Sequence, residues 1–241
     1  QTFDVAYEQL SGEALMVYGK SANDGIIYYR TWNGNATSSE SSFIFNNGSA
    51  ADTNWVRLAP KGAKLTNNRS DEMMLLTVDA DGKLFSAYWD GTQFLASTTL
   101  HTMPTANGRP FDGAWETNSG NFIAVFASST GINLTDVFAY RKFSGGAWGS
   151  TGAAGDNFGN AVDSNRGYWV SLDADPLSDR IAAGFTFTCC LNIAPTEGEA
   201  IWKTNGTTEN WTLTVNNAAL ESTRAYGQVQ VAWERFGTSD S

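Results

Sequence analysis

The sequence predicts an all-β chain made of repeated four-stranded units. A six-residue motif occurs three times, at 3–8, 111–116 and 229–234, each time with Ala, an aromatic residue and a closing Glu in register. Between these copies, short apolar and aromatic stretches alternate with Gly, Asn, Asp and Ser, which is the pattern of short strands joined by turns. The nearest approach to a helical pattern is 217–223, one or two turns at most. A repeat architecture explains all of these features together.

Two types of repeat alternate along the chain, A-B-A-B-A, with about 54 residues in each. The first A repeat has predicted strands at 3–8, 14–18 and 26–32, and Trp-Asn-Gly at 32–34 is a strong hairpin signal. The first B repeat closes its aromatic strand in the same way, with Trp-Asp-Gly at 89–91. We therefore predict one domain, 1–241, with repeats at 3–50, 51–108, 109–165 and 166–226 and a partial fifth repeat at 227–241.

Four-stranded repeats of this length, with aromatic residues and a Gly-containing hairpin at fixed offsets, are typical of β-propeller blades. The turns at 32–34 and 89–91 resemble those in tandem blades of bacterial surface and secreted proteins, distantly related to sialidase-like propellers. The sialidase Asp-box is not matched, because segment 79–83 has its Gly one place early. The resemblance therefore implies about four propeller-like blades and one extra strand, without sialidase chemistry. The alternative fold, two tandem β-sandwiches, leaves the likeness between the two turns unexplained.

Composition and charge limit the range of partners. The net charge of −10 and a pI near 4.5 oppose binding to phosphate backbones and anionic lipid surfaces. No apolar run approaches the roughly 20 residues that span a bilayer. No charged-then-apolar leader is present, as expected of a cytosolic chain or of a mature or excised part of an exported one. The acidic, Lys-poor, Asn- and Thr-rich composition favours an extracellular or cell-surface location, with no nucleic-acid partner and no membrane insertion.

Two covalent modifications are candidates. The only cysteines, Cys189 and Cys190, are adjacent, so they form either a strained vicinal disulfide, which we predict, or a pair of buried thiols. About four Asn-X-Ser/Thr sequons would arise by chance in such a composition. The sequence has six candidate glycosylation sites, at Asn35, Asn47, Asn68, Asn133, Asn205 and Asn210.

The carboxylates with the clearest pattern are the repeated ones. Glu8, Glu116 and Glu234 could serve acid–base chemistry in a glycosidase. A catalytic site, however, needs one asymmetric set of residues, whereas a repeat copies its structural residues into every unit. We therefore predict that these residues are structural, that the chain is not an enzyme and that it has no cofactor.

A weak calcium candidate lies in the turn at 79–82. Asp79 and Asp81 could supply oxygen ligands. The turn lacks the downstream Glu of an EF-hand loop and lies where a hairpin is needed. We therefore predict no metal site.

The predicted binding surface is formed by the loops 21–25, 128–136 and 189–198, which occupy the same slot between the second and third strands of their repeats. Blades bring such loops to one rim, where binding residues are common. We predict a non-catalytic recognition or adhesion module for glycan or a surface protein, with carbohydrate as the favoured ligand. The alternatives are a structural subunit of a surface assembly or filament and a glycoside hydrolase. The candidate ligand-binding residues are Asn23, Asp24, Asn133, Asp136, Asn192 and Glu197.

The last repeat stops after its first strand. Segments 3–8 and 229–234 carry the same strand and so cannot complete each other's blade. An unpaired apolar edge promotes association. We therefore predict that 227–241 pairs with another chain, by self-association, or with a continuation of this one.

Overall fold

A computed structural model shows an all-β fold: the described residues form seventeen strands and no helix. Their contacts divide the chain into two compact units, 1–107 and 108–241, with the boundary between the second and third predicted repeats. The assignment of 1–241 to one domain stays a prediction. The structure describes residues 2–20, 25–46, 51–62, 70–103, 108–128, 138–153, 166–188, 196–204, 210–221 and 229–233.

Unit 1–107 contains two antiparallel sheets in which every strand pairs with its neighbour in sequence. Sheet 1 consists of β1 (Phe3–Tyr7), β2 (Ala14–Gly19), β3 (Ile26–Trp32) and β4 (Ser41–Ile44). Sheet 2 consists of β5 (Thr53–Pro60), β6 (Met73–Asp79), β7 (Lys83–Trp89) and β8 (Thr98–Thr102). These are the two four-stranded repeats that the sequence predicts for this part of the chain.

Unit 108–241 also contains two antiparallel sheets. Sheet 3 consists of β9 (Phe111–Trp115), β10 (Phe122–Ala127), β11 (Phe138–Ser144), β12 (Ala147–Trp148) and β13 (Gly152–Ala153), the last two both pairing with β11. Sheet 4 consists of β14 (Arg166–Ala174), β15 (Ile181–Thr188), β16 (Thr196–Thr204) and β17 (Asn210–Glu221).

Residues 217–221, the nearest approach to a helical pattern in the sequence, belong to β17 and pair with the start of β16. Two local predictions are wrong. Residues 196–198 are the start of β16 rather than the end of a binding loop. Residues 229–233 belong to no strand. The backbone N–H of Trp233 donates to the side-chain carboxylate of Asp173 on β14 (2.8 Å), not to a backbone carbonyl.

The core of each unit lies between its two sheets. In unit 1–107, Leu15 and Val17 on β2 point into the core, whereas Met16 and Tyr18 between them lie on the opposite face, as strand alternation requires. β6 is buried along its whole length. In unit 108–241 the rings of Phe138 and Phe185 stack across the core, with centroids 4.4 Å apart.

The two predicted hairpin turns are present and have four-residue loops. Asn33 Oδ1 accepts the N–H groups of residues 35 and 36, at 3.1 and 2.9 Å. Asp90 Oδ1 accepts those of residues 92 and 93, at 2.8 and 2.9 Å. Gly34 and Gly91 follow with φ of 90° and 97°, which only Gly adopts at low cost. The Asn or Asp side chain therefore organises each turn.

Candidate functional site

Most of the predicted ligand-binding residues lie outside the described part of the chain. Glu197 is the exception: its backbone lies on β16, paired with Phe187 of β15. The binding-loop hypothesis thus stays a prediction. The residues outside the described ranges are Asn23, Asp24, Asn133, Asp136 and Asn192, together with the predicted disulfide Cys189–Cys190.

Among the candidate glycosylation sites, Asn35 is exposed in the turn between β3 and β4. This position is compatible with a surface glycan. Asn210 begins β17. The remaining sequons, at Asn47, Asn68, Asn133 and Asn205, lie outside the described residues.

Asp79 and Asp81 do not form a ligand set. The carboxylate of Asp79 is buried and accepts three hydrogen bonds, from the backbone N–H groups of Asp81 (3.0 Å) and Lys83 (2.9 Å) and from Asn46 Nδ2 (2.9 Å). The side chain of Asp81 is exposed. Burial raises the pKa of Asp79, although the two backbone N–H groups oppose this. Asp79 therefore holds the β6–β7 turn, and no cluster of three His, Cys, Asp or Glu occurs in the described part.

The repeated glutamates are held in structural roles. Glu8 is buried at the end of β1, where its Oε1 accepts the indole N–H of Trp89 (2.8 Å) and its Oε2 accepts the hydroxyl of Ser11 (2.5 Å). Glu116 has the same place after β9, accepting from the hydroxyl of Ser119 (2.6 Å). Each carboxylate thus braces the turn that follows its strand.

A third carboxylate of this kind, Asp175, was not predicted from the sequence. It is buried after β14 and accepts the hydroxyl of Ser178 (2.5 Å), three residues later, as Glu8 and Glu116 do. Arg180 pairs with it at 2.9 Å. An acidic residue followed by Ser at the third position was the signal that could have found it.

The described residues also contain a polar and aromatic cluster beside the first predicted binding loop. This Lys20 cluster consists of Tyr18, Lys20, Tyr28 and Glu40. Lys20 Nζ lies 2.7 Å from Glu40 Oε1 and 3.8 Å from the centre of the Tyr28 ring. The Tyr18 hydroxyl donates to Glu40 Oε2 (2.5 Å), and the two Tyr rings lie 6.2 Å apart at 20°. Cross-strand pairing of Tyr18 with Tyr28 brings the rings together.

The ion pair keeps the cluster charged over a wide pH range. The hydrogen bond from Lys20 lowers the pKa of Glu40, and the same bond raises the pKa of Lys20. The cluster therefore presents an ammonium donor, a carboxylate acceptor and phenol rings at the surface. Such a set suits the hydroxyls and the C–H faces of a sugar.

The Lys20 cluster is not copied into the third repeat. There the strand pairing places Phe126 at the position of Tyr18 and Ala139 at that of Tyr28, and Ser128 takes the position of Lys20. A repeat needs its structural residues in every copy, so the cluster is not required to build this type of sheet.

Comparison with known proteins finds similarity only among solved structures. No protein-family model and no curated protein matches the chain. A mutant of the Aleuria aurantia lectin in complex with Fucα1-6GlcNAc is 12% identical, with a TM-score of 0.51 over 88% of this chain and 59% of the lectin. An α-L-arabinofuranosidase from Fusarium graminearum is 10% identical, with a TM-score of 0.51 over 89% and 68%. An α-L-arabinanase from Penicillium chrysogenum is 10% identical, with a TM-score of 0.52 over 88% and 67%.

These similarities bear on the fold. The three solved proteins are β-propellers, so the chain has an all-β, propeller-like fold of four-stranded antiparallel sheets. The propeller-like prediction is confirmed at this level, while the number of blades and ring closure stay predictions. The chain spans about three fifths of the length of the lectin.

Within the part of the chain that the structure describes, no helix has the length and hydropathy of a membrane span.

Proposed function

We propose that the chain is a non-catalytic recognition or adhesion module that binds carbohydrate outside the cell or at its surface. The observation that carries the proposal is the Lys20 cluster, a charged and aromatic group that the first repeat has and the third lacks. In the sequence, Lys20 directly precedes 21–24, the segment in which Asn23 and Asp24 were predicted to bind ligand. The propeller-like fold, shared with a lectin solved with bound Fucα1-6GlcNAc, supports the same function.

Binding at this site would use groups that already hold each other in place. Glu40 receives both Lys20 and Tyr18, so the acidic and basic groups need little reordering when a sugar arrives. This lowers the entropic cost of binding. The side chains of Lys20 and Glu40 are 43% and 32% exposed, so the ion pair is accessible to sugar hydroxyls.

The similarity to an arabinofuranosidase and an arabinanase supports a second candidate, a glycoside hydrolase. Hydrolysis needs a pair of carboxylates held on either side of the scissile bond. The buried carboxylates Glu8, Glu116 and Asp175 each brace their own turn instead. Incubation with arabinan and assay of new reducing ends tests this candidate, and turnover would overturn the non-catalytic proposal.

A glycan array with the intact chain tests the binding proposal. We expect selective signals that fall about tenfold in Lys20→Ser and Tyr28→Ala, which introduce the residues of the third repeat, since each removes a group that would contact the sugar. Leu10→Ser, an exposed substitution in the β1–β2 turn, is the control and keeps the signal. No signal across plant, microbial and animal glycans would instead favour a structural subunit of a surface assembly.

A further inference from the structure

The β1 edge of sheet 1 carries exposed apolar side chains. On β1, Phe3, Val5 and Tyr7 point to the outer face and are 58%, 48% and 53% exposed, whereas Ala6 between them lies in the core. Because Phe3 pairs with Tyr18, the Lys20 cluster lies on the same face, beyond this edge. Clusters of exposed apolar side chains such as those on β1 mark interaction sites.

The same positions are buried in the third repeat. Phe111 takes the place of Phe3 and is 0% exposed, and Trp115 takes the place of Tyr7 and is 6% exposed. Both repeats therefore have aromatic residues at these two positions, but the side chains are exposed in the first repeat and buried in the third. Since the repeat uses this face for packing elsewhere, the outer face of sheet 1 is built to be covered by protein.

The partial fifth repeat shows which surface these positions fit. Val229, Val231 and Trp233 stand at the positions of Phe3, Val5 and Tyr7, and they lie against sheet 4 of their own unit. A Cβ at Gly184 of β15 would come within 2.5 Å of Val229 Cγ1 and 3.1 Å of Val231 Cγ1. Glycine is thus what allows the valines to approach this sheet so closely.

Trp233 is held at the edge of the same surface. Its backbone N–H donates to Asp173 Oδ2 (2.8 Å) and its indole N–H to the Asp173 carbonyl (3.1 Å). The Arg180 guanidinium lies 5.1 Å from the centre of its ring. We define this surface, formed by Asp173, Arg180 and Gly184, as the sheet-4 face; it accepts alternating apolar side chains without strand pairing.

We propose that the outer face of sheet 1 docks on the sheet-4 face of a second copy of the chain, in competition with that copy's own 229–233 segment. Val5 takes the place of Val231 against Gly184, and Tyr7 takes the place of Trp233 beside Arg180, where a phenol ring keeps the cation–π contact. Two different surfaces meet in this contact, so repetition produces rings or open chains of copies. Segment 229–233 belongs to the same chain as the sheet-4 face that it covers, so its effective concentration there is high. It therefore limits the assembly of copies.

Full-length variants test the competition by sedimentation velocity over a range of concentrations. In Val229→Ser/Val231→Ser/Trp233→Ser, docking of the segment is weakened. We expect this release variant to self-associate at concentrations about tenfold or more below those needed by the unaltered chain. Adding Val5→Ser and Tyr7→Ser returns it to the monomer mass, whereas adding Leu95→Ser, an exposed apolar substitution elsewhere, does not.

A second variant acts on the sheet-4 face itself. In Gly184→Leu the new side chain occupies the space needed by segment 229–233 and by β1 of a second copy. We therefore expect this variant to release the segment without promoting association. Circular dichroism melts check that every variant is folded before its mass is measured. A folded release variant with the mass of the unaltered chain at all concentrations overturns the proposal. Association that persists with Val5→Ser and Tyr7→Ser also overturns it, because the outer face of sheet 1 would then play no part.

Discussion

At the scale of single residues, the buried carboxylates stabilise turns through hydrogen bonds. Glu8 accepts hydrogen bonds from a local hydroxyl and from the distant indole of Trp89, at 2.8 Å. A carboxylate taken out of water is stable only when such donors surround it. The identity of the donors therefore matters more for stability than the number of acidic residues.

Replacing Trp89 with Phe removes the indole donor while keeping an aromatic ring in the core. We expect a loss of about 1–3 kcal/mol in the free energy of unfolding, because a buried charged acceptor loses its partner. Urea denaturation measures the loss. Trp32→Phe, at the matching position of the first repeat but only half-buried, is the control and should cost less. Equal losses in the two variants would contradict a special role for the indole–carboxylate bond.

The buried carboxylate of Asp79 gives a pH-dependent prediction. Burial raises the pKa of Asp79 in the folded chain. A carboxyl group with a raised folded pKa contributes most stability below its unfolded pKa, and that contribution is lost as pH rises through the folded pKa. Asp79→Asn keeps an oxygen for the turn and has no charge to bury. We expect it to be as stable as the unaltered chain at pH 7 or more stable, because it buries no charge.

Urea denaturation at pH 7 and at about pH 3 checks this prediction, since the advantage of Asp79→Asn should vanish once the native carboxyl is protonated. Asp79→Ala serves as the comparison. It removes the acceptor of both backbone N–H groups and is expected to cost about 1–2 kcal/mol at either pH. An Asn variant that is less stable at pH 7 and equal at low pH would show that the charge stabilises the fold.

At the scale of elements, an aspartate before the second strand of one sheet holds a turn of the neighbouring sheet in each unit. Asp71, just before β6, accepts the backbone N–H groups of Leu10 and Ser11 in the β1–β2 turn, at 2.9 and 2.8 Å. Asp179 does the same in the other unit, accepting from residues 118 and 119 at 2.6 and 2.9 Å. The repeated Ser-Asp pairs at 70–71 and 178–179 are thereby explained as fasteners between sheets.

Substitution of Asp71 should destabilise the β1–β2 turn more than the rest of the unit. In Asp71→Ala we expect the amides of Leu10 and Ser11 to exchange faster with solvent, with a loss of about 1–3 kcal/mol in unfolding free energy. Amide hydrogen exchange by NMR resolves the two sites. Asp71→Asn keeps an acceptor oxygen and should show a smaller change. Unchanged exchange at both amides in the Ala variant would argue against the connection.

At the scale of the whole molecule, the chain has only two cysteines, and they are adjacent. Expressed in an oxidising compartment, the chain has no other thiol with which either can pair. We therefore expect a vicinal disulfide between Cys189 and Cys190. Intact mass before reduction should be two hydrogens lower than after it. Alkylation of two thiols without reductant would contradict the prediction, and Cys190→Ser supplies the control for a single thiol.

The repeat pattern and most strands could be predicted from sequence because they depend on local properties. Continuous apolar runs identified β2 and β6, and the β-branched and aromatic residues at 26–32 identified β3. The run at 14–18 was expected to be buried on both faces, but in the structure only one face of β2 is buried, whereas β6 is buried throughout. The Asn33 and Asp90 turns were found because their side chains cap their own backbone. Prediction failed for 196–198, because pairing with β15 and β17 makes these residues the start of β16 rather than the end of a loop.

Burial and the partners of polar atoms were decided only by the tertiary structure. Phe3 and Phe111 occupy the same position of one motif, yet one is exposed and the other is buried, because exposure depends on what packs against the face. The Lys20 cluster likewise joins residues from β2, β3 and the segment before β4, which strand pairing alone brings together. The sequence by itself therefore determined which residues form strands, turns and repeated faces. The tertiary structure decided which faces are buried and which side chains meet, since both depend on contacts between residues far apart in the chain.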